Sequence, residues 1–408
     1  MKQLRVQPWV ALVAACGLFA GLAGCNGGGG SDTGTTGANG SSGAAATGDE
    51  VIIGLVASQN GALKPWGVDS VKGAELAVEE FNAAGGLNGK KVVLKIEDSN
   101  SNPQQGKSAA EKLMAEGAIT LIGEVASGIT AQMAEAAVAK GIPVVSVGAT
   151  RVDITKIGTN PQMVFRVCYT DDFQGPVVAK FAYEDLGLRR VAIMTDIKQP
   201  YSIGLSDNFR EYFTKLGGTI VDEQKYESEQ TQFGAQLTNL KAKNPDGIFL
   251  SGYFTEVGQI ARQARDAGIN VPLLGGDGWD SRDLVTTGGE AILGNYYCNH
   301  YNNEEDRPEV AEFLKKFEGK YGERPATTMA ALSYDATRLV LDALKRASAL
   351  TPADIATALD QTVGFMGVSG EITLKDRQGD PQKRALMVEV TREGDKFVKA
   401  FEWFDAKQ

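Results

Sequence analysis

Histidine is almost absent from this chain: His300 is the only one in 408 residues. A Ser-His-Asp triad or a histidine-based metal centre would have to use it. It precedes the polar run 301–306, with neither a nucleophile nor a second ligand beside it. It therefore reads as a solvated surface residue, and no catalytic residue is expected. Cysteine is scarce as well, four in all and none in a Cys-x-x-Cys pair, which removes support for a structural zinc site or a thioredoxin-like redox centre. Phosphate loops are missing. The stretch 85–91 (GGLNGKK) lacks a glycine at the Walker spacing and carries Lys91 where Ser or Thr belongs; 275–278 (GGDG) is not followed by the third glycine of a dinucleotide fingerprint. Neither a cofactor nor a metal is expected. Basic residues are outnumbered, 41 against 51 acidic, for a net charge of -10, which argues against nucleic acid as a partner. The apolar run over 9–20 is too short to span a bilayer.

What is present begins with a targeting pattern. Residues 1–5 are short and basic, the apolar run follows, and Leu22, Ala23, Gly24 and Cys25 come directly after it. That quartet resembles the bacterial lipoprotein box, which implies a signal peptide over 1–24 and lipidation of Cys25. Residues 26–49 are almost entirely Gly, Ser, Thr, Ala and Asn, so 25–49 is expected to be a flexible tether reaching about 25 to 30 Å.

From Val51 onward, strand-like apolar runs alternate with amphipathic helices. Val71, Ala74, Val78 and Phe81 recur three and four residues apart, as on one helix face, and Gly85 and Gly86 stop that helix. Such alternation predicts parallel sheets with helices on both faces. It restarts after 165–169, so two Rossmann-like α/β lobes are expected, joined by three crossovers. We place the first lobe at 50–167 and 300–367 and the second at 168–299 and 368–408. A weak internal repeat supports the pairing. Gln132 leads to Gly141, Ile142, Pro143, a strand and the loop 148–150; Gln259 leads to Gly268, Ile269, Pro272, a strand and the loop 276–278.

The stretch 121–150 holds two strands whose carboxyl ends are rich in small and hydroxyl residues. Loops at such ends face the ligand crevice of an α/β sheet, where N–H groups and hydroxyls attract anions. Ser127, just before its helix, is placed either to cap that helix, to contact a ligand, or both. Thr150 is a turn residue or a second hydroxyl contact. Asp277 lies between glycines with no Lys or Arg in its loop before Arg282, so a ligand ammonium would supply the cation that a crevice carboxylate requires. Trp66, Tyr201 and Tyr253 sit at or after expected strand ends as walls for an apolar side chain. Cys168 and Cys298 fall on the segments 165–169 and 296–301, read as lobe-crossing strands, and form a possible disulfide.

On these residues the chain resembles the branched-chain (Leu/Ile/Val) amino acid ABC transporter substrate-binding proteins, of the type I periplasmic binding fold. The most specific stretches are 73–78, 122–127, 148–150, Tyr253 with 258–265, and 276–278. The resemblance covers 50 to about 380. It implies a carboxylate site of Ser127, Thr150 and Ala149, an ammonium site of Gly148 and Asp277, and pocket walls of Trp66, Val125, Ala126, Tyr201 and Tyr253. It implies a monomeric, lipid-anchored receptor outside the cytoplasm, its partners being a free amino acid and the membrane permease of an ABC importer. The family's acidic residue is often glutamate where Asp277 stands, and a disulfide of some relatives is absent, Ser101 and Ala126 taking its places. The same fold binding an amide, urea or other small polar solute is the alternative. A hydrolase using Ser127 would lack its histidine.

Overall fold

Aliphatic runs too short for helices, each closed by a turn residue, make the parallel strands, and the periodic segments between them make the covering helices. The computed structural model describes residues 50–406; the expected leader, Cys25 and tether lie outside the described residues. In chain order the elements are β1 (Glu50–Ala57), α1 (Lys64–Ala83), β2 (Lys91–Asp98), α2 (Pro103–Ala115), β3 (Leu121–Ile122), α3 (Ser127–Val138), β4 (Val144–Ser146) and β5 (Val164–Arg166). They continue with α4 (Asp171–Lys180), β6 (Arg190–Asp196), α5 (Pro200–Lys215), β7 (Thr219–Tyr226), α6 (Gly234–Ala242), β8 (Gly247–Ser251), α7 (Phe254–Asp266), β9 (Leu273–Gly275), α8 (Arg282–Gly288) and β10 (Tyr296–Asn299). The last part holds α9 (Pro308–Tyr321), α10 (Met329–Arg346), α11 (Pro352–Asp360), β11 (Phe365–Gly367), β12 (Gly370–Ile372), β13 (Ala385–Val390) and β14 (Asp395–Phe401).

The first sheet has the order β2-β1-β3-β4-β5 and is parallel throughout. The second runs β14-β13-β10-β9-β8-β6-β7, parallel from β7 to β10 and antiparallel at β13 and β14. Strand β1 buries Val51, Ile53, Leu55 and Val56, the continuous apolar run that helices on both faces of a parallel sheet demand. Local signals set the helix ends: Asn102 accepts from the N–H groups of Gln104 and Gln105 at the start of α2, and Gly85 and Gly86 both take positive φ after α1. Helix α10, distant in sequence, packs on α1. A Cβ at Gly73 would lie 2.0 Å from the Ala330 carbonyl, so glycine is what lets the two backbones approach.

Two expectations are corrected. The segments at 165 and 296 are not strands that cross between lobes: β5 is the edge of the first sheet and β10 is inside the second, and the chain crosses just after each. Cys168 and Cys298 are free and buried, so the possible disulfide is not formed. Cys168 Sγ donates to the Ala149 carbonyl at 3.5 Å. Burial pushes its thiol up to about 12 and raises that of Cys298 as well, which suppresses the thiolate that disulfide formation needs.

Candidate functional site

The first half of the site is built by a buried carboxylate. Glu124, after β3, accepts from Ser58 Oγ at 2.5 Å, Ser99 Oγ at 3.0 Å, and the N–H groups of Val125 at 2.8 Å and Ala126 at 3.0 Å. Its partners come from the ends of β1 and β2 and from its own loop, so one side chain ties three strand ends together. Burial raises its pKa against those four donors. The residue preceding α3 in the capping position is Ala126, with no side-chain cap. Ser127 is therefore not the cap of its helix; its Oγ accepts only a long bond, 3.4 Å, from the Arg151 N–H.

After β4 the loop turns on Ser146, whose Oγ donates to the Glu124 carbonyl at 3.3 Å and accepts the Ala149 N–H at 3.2 Å. The Ala149 carbonyl takes Arg166 Nη1 at 2.7 Å, and the buried Arg166 also pairs with Asp380 at 2.6 Å. Both backbone groups of Ala149 are thus occupied and it does not line the cavity, which corrects its assignment to the carboxylate site. Ala126 is likewise no pocket wall: its N–H goes to Glu124 and its carbonyl accepts from Thr130. Thr150, by contrast, is buried in the wall, with its hydroxyl toward the Asp171 carboxylate.

The opposing half follows β9. Asp277 Oδ1 accepts from the Tyr201 hydroxyl at 2.8 Å, Oδ2 lies 3.0 Å from His300 Nε2, and its backbone N–H donates to Gln174 Oε1 at 2.6 Å. The Tyr201 hydroxyl in turn accepts the Gly278 N–H at 3.1 Å. Gly276 permits this crowding, since a Cβ there would meet Gln174 Oε1 and the Tyr201 hydroxyl at 2.6 Å. A second carboxylate stands behind. Asp171, the first residue of α4, takes Gln174 Nε2 at 3.2 Å on Oδ1, and the nearby Thr150 hydroxyl favours its charged form. Burial, and then the charge of Asp277, pushes its pKa up to about 8.

Aromatic rings close the sides. Trp66 meets Tyr253 edge-on at 5.0 Å, and Tyr253 stacks on Tyr201 at 5.4 Å. Trp66 Nε1 donates to the Asp280 carbonyl at 2.6 Å, binding α1 of the first lobe to the loop after Asp277. Val125, Gly148, Gly278 and Met329, the first residue of α10, complete the wall. The space left between these walls is small, about 10 Å³, roughly that of one water molecule, so the two halves stand nearly closed on one another.

The structure thus brings together Ser127, Thr150, Gly148, Asp277, Trp66, Val125, Tyr201 and Tyr253. Sequence reasoning missed Asp171, Gln174, Met329 and above all His300, which is buried rather than solvated. Its position directly after β10 was the available signal, the same strand-end rule that singled out Asp277. Among the described residues no cluster of His, Cys, Asp and Glu is placed to hold a metal, and no helix is long and apolar enough to cross a membrane.

The family model described as periplasmic binding protein matches residues 50–395. The chain belongs to the periplasmic binding proteins. This binding protein is 32% identical over 334 residues to Leu/Ile/Val-binding protein homolog 1 of Brucella suis, covering 82% of this chain and 88% of that one. Among solved structures it is similar to a leucine binding protein, LivK, of Thermotoga maritima, with a TM-score of 0.80, 33% identity and coverage of 86% of this chain and 99% of that one. It is also similar to the branched-chain amino acid transporter substrate binding protein LivJ of Streptococcus pneumoniae, solved with isoleucine, with a TM-score of 0.79, 31% identity and coverage of 86% and 98%. All three are named as binding proteins, LivJ as the substrate binding protein of a transporter, and this chain is a periplasmic binding protein and not an enzyme. Its family places it outside the cytoplasm.

Proposed function

We propose that the cavity receives a free aliphatic amino acid as its zwitterion. One observation carries this reading: the buried carboxylate of Asp277 lines the cavity with Ser127 and Thr150 and forms no ion pair with lysine or arginine among the described residues. A ligand ammonium supplies the missing cation, at Asp277 and the Gly148 carbonyl. The ligand carboxylate takes Ser127, Thr150 and the N-terminal end of α3, where helix N–H groups favour an anion. The aliphatic side chain lies against Trp66, Val125, Tyr201, Tyr253 and Met329. The isoleucine named with the LivJ structure supports the same class of ligand. Two charge-assisted ends and one buried aliphatic group are enough for micromolar binding, about -8 kcal/mol.

In this reading the lobes 50–167 with 300–367 and 168–299 with 368–408 close over the ligand about their three crossings and present the closed form to the permease of an ABC importer. The protein works as a monomer held to the membrane through lipid on Cys25, with 25–49 as its tether. A thermal-shift screen of the twenty amino acids and simple amides tests the ligand: stabilisation by Leu, Ile or Val is expected, and equal stabilisation by amides lacking an ammonium would overturn the zwitterion. Release of the protein from membranes on Cys25→Ala tests the anchor.

A further inference from the structure

The chain's single histidine is built into the site. His300 is the first residue after β10, where the chain leaves the second sheet, and its ring is buried. One face stacks on Tyr169, with centroids 4.0 Å apart and planes at 22°; Tyr169 belongs to the earlier crossing, after β5. The ring therefore sits between two of the crossing segments. Its Nε2 faces Asp277 Oδ2 at 3.0 Å, and its Nδ1 is buried without a partner.

We propose that His300 is a positioning residue for Asp277. A carboxylate accepts hydrogen bonds and cannot donate them. The tautomer with its proton on Nε2 satisfies Oδ2 and leaves Nδ1 as the bare nitrogen, which fits the absence of a partner there. The donors to the Asp277 carboxylate are then Tyr201 O–H and His300 Nε2–H, while Gln174 anchors the same residue through its backbone. They fix where the carboxylate points. A lysine or arginine in the place of His300 would fix it equally well and compete with the ligand cation. Stacking on Tyr169 immobilises the ring, so the aim of Asp277 is set by the crossing segments and not by a mobile loop.

This inference rests on Asp277 being the ammonium contact, and the experiment separates the two. Leucine and its analogue without the ammonium, 4-methylpentanoate, are measured by calorimetry on wild type, His300→Phe, His300→Gln and Asp277→Asn, the analogue by displacement of leucine. His300→Phe keeps the stacked ring and loses the donor. It is expected to weaken leucine about tenfold or more and 4-methylpentanoate less than about twofold, with His300→Gln, whose amide still donates, restoring most of the leucine affinity. A purely structural role would weaken both ligands alike and give no rescue; that result, or unchanged leucine affinity in His300→Phe, overturns the proposal. If Asp277→Asn binds leucine like wild type, or wild type binds none, the ammonium reading itself fails and this inference with it. If Asp277→Asn loses leucine while His300→Phe does not, only His300 is misassigned.

Discussion

The carboxylate of Asp280 accepts the backbone N–H of Thr328 at 2.6 Å and its hydroxyl at 2.7 Å. Thr328 precedes α10, which packs on the first lobe, whereas Asp280 ends the second-lobe loop that begins at Asp277. A side chain from one lobe thus terminates a helix of the other, with its charge at the favourable end of the helix dipole. Burial, followed by the charge of Asp395, pushes the Asp280 pKa up to about 7.

Asp280→Ala should therefore act on closure. The Thr328 N–H loses its partner at a cost of about 1–3 kcal/mol, so ligand affinity is expected to fall about tenfold. Small-angle scattering at saturating ligand should show a more open particle than wild type; an unchanged profile with unchanged affinity would remove Asp280 from closure.

Asp277→Ala should abolish amino-acid binding, by at least about a hundredfold, because the ligand ammonium would be buried without its counter-charge. The ligand-free melting temperature should change little, since Tyr201, His300 and Gln174 each retain other packing. Calorimetry paired with thermal unfolding distinguishes loss of the site from loss of the fold.

Asp171 sets a pH dependence. Its pKa in the folded protein, about 8, stands above the ordinary carboxylate value of 3.8. Its contribution to stability is therefore fully present below about pH 4 and lost as pH rises through about 8. An arriving ammonium favours the ionised form, so between those limits binding should release up to about one proton, and affinity should rise with pH toward 8. Calorimetry at pH 6 in buffers of different ionisation enthalpy reads the proton. Asp171→Asn should remove the release; if it persists undiminished, the proton comes from elsewhere.

In the proposed reading, Met329 should limit the size of the ligand side chain. A Cβ on Gly148 would lie 3.1 Å from Met329 Sδ and 3.1 Å from Val125 Cγ1, so these two side chains bound the floor of the cavity. Met329→Ala should admit larger side chains such as phenylalanine and weaken valine, while Gly148→Ala should narrow acceptance to smaller ligands. A competition series against leucine checks the order, and an unchanged order in both variants would place the ligand side chain against another wall.

Cys168 and Cys298 should each take one thiol label in denaturant without any reductant, and label slowly in the native protein, since both are buried with raised pKa values. Mass spectrometry after digestion assigns the labels. Labelling that requires reduction would show a bridge.

Much of the site was legible because strand ends are legible. Ser127, Gly148, Thr150 and Asp277 follow apolar runs that can only be strands, and the parallel α/β rule sends such positions to one crevice. Asp171 was hidden for the opposite reason: an acidic residue opening a helix is ordinary, and only the fold seals it from water. His300 misled because polar sequence neighbours suggested solvent, while the residues that enclose it, Tyr169 and Asp277, lie far along the chain. Ala149 was placed in the site by the family resemblance, yet its N–H is committed to Ser146, a choice that sequence spacing does not express.

By itself, the sequence determined the alternation of strands and helices and the residues delivered to the strand ends, because these depend on side-chain period and residue type over a few positions. Tertiary structure alone decided which groups meet: His300 and Gln174 on Asp277, Met329 under Gly148, Asp280 on Thr328. Hydrogen bonds and contacts between loops distant in the chain depend on how two sheets are crossed and packed, and burial, which sets the charge state of Asp171, exists only once they are.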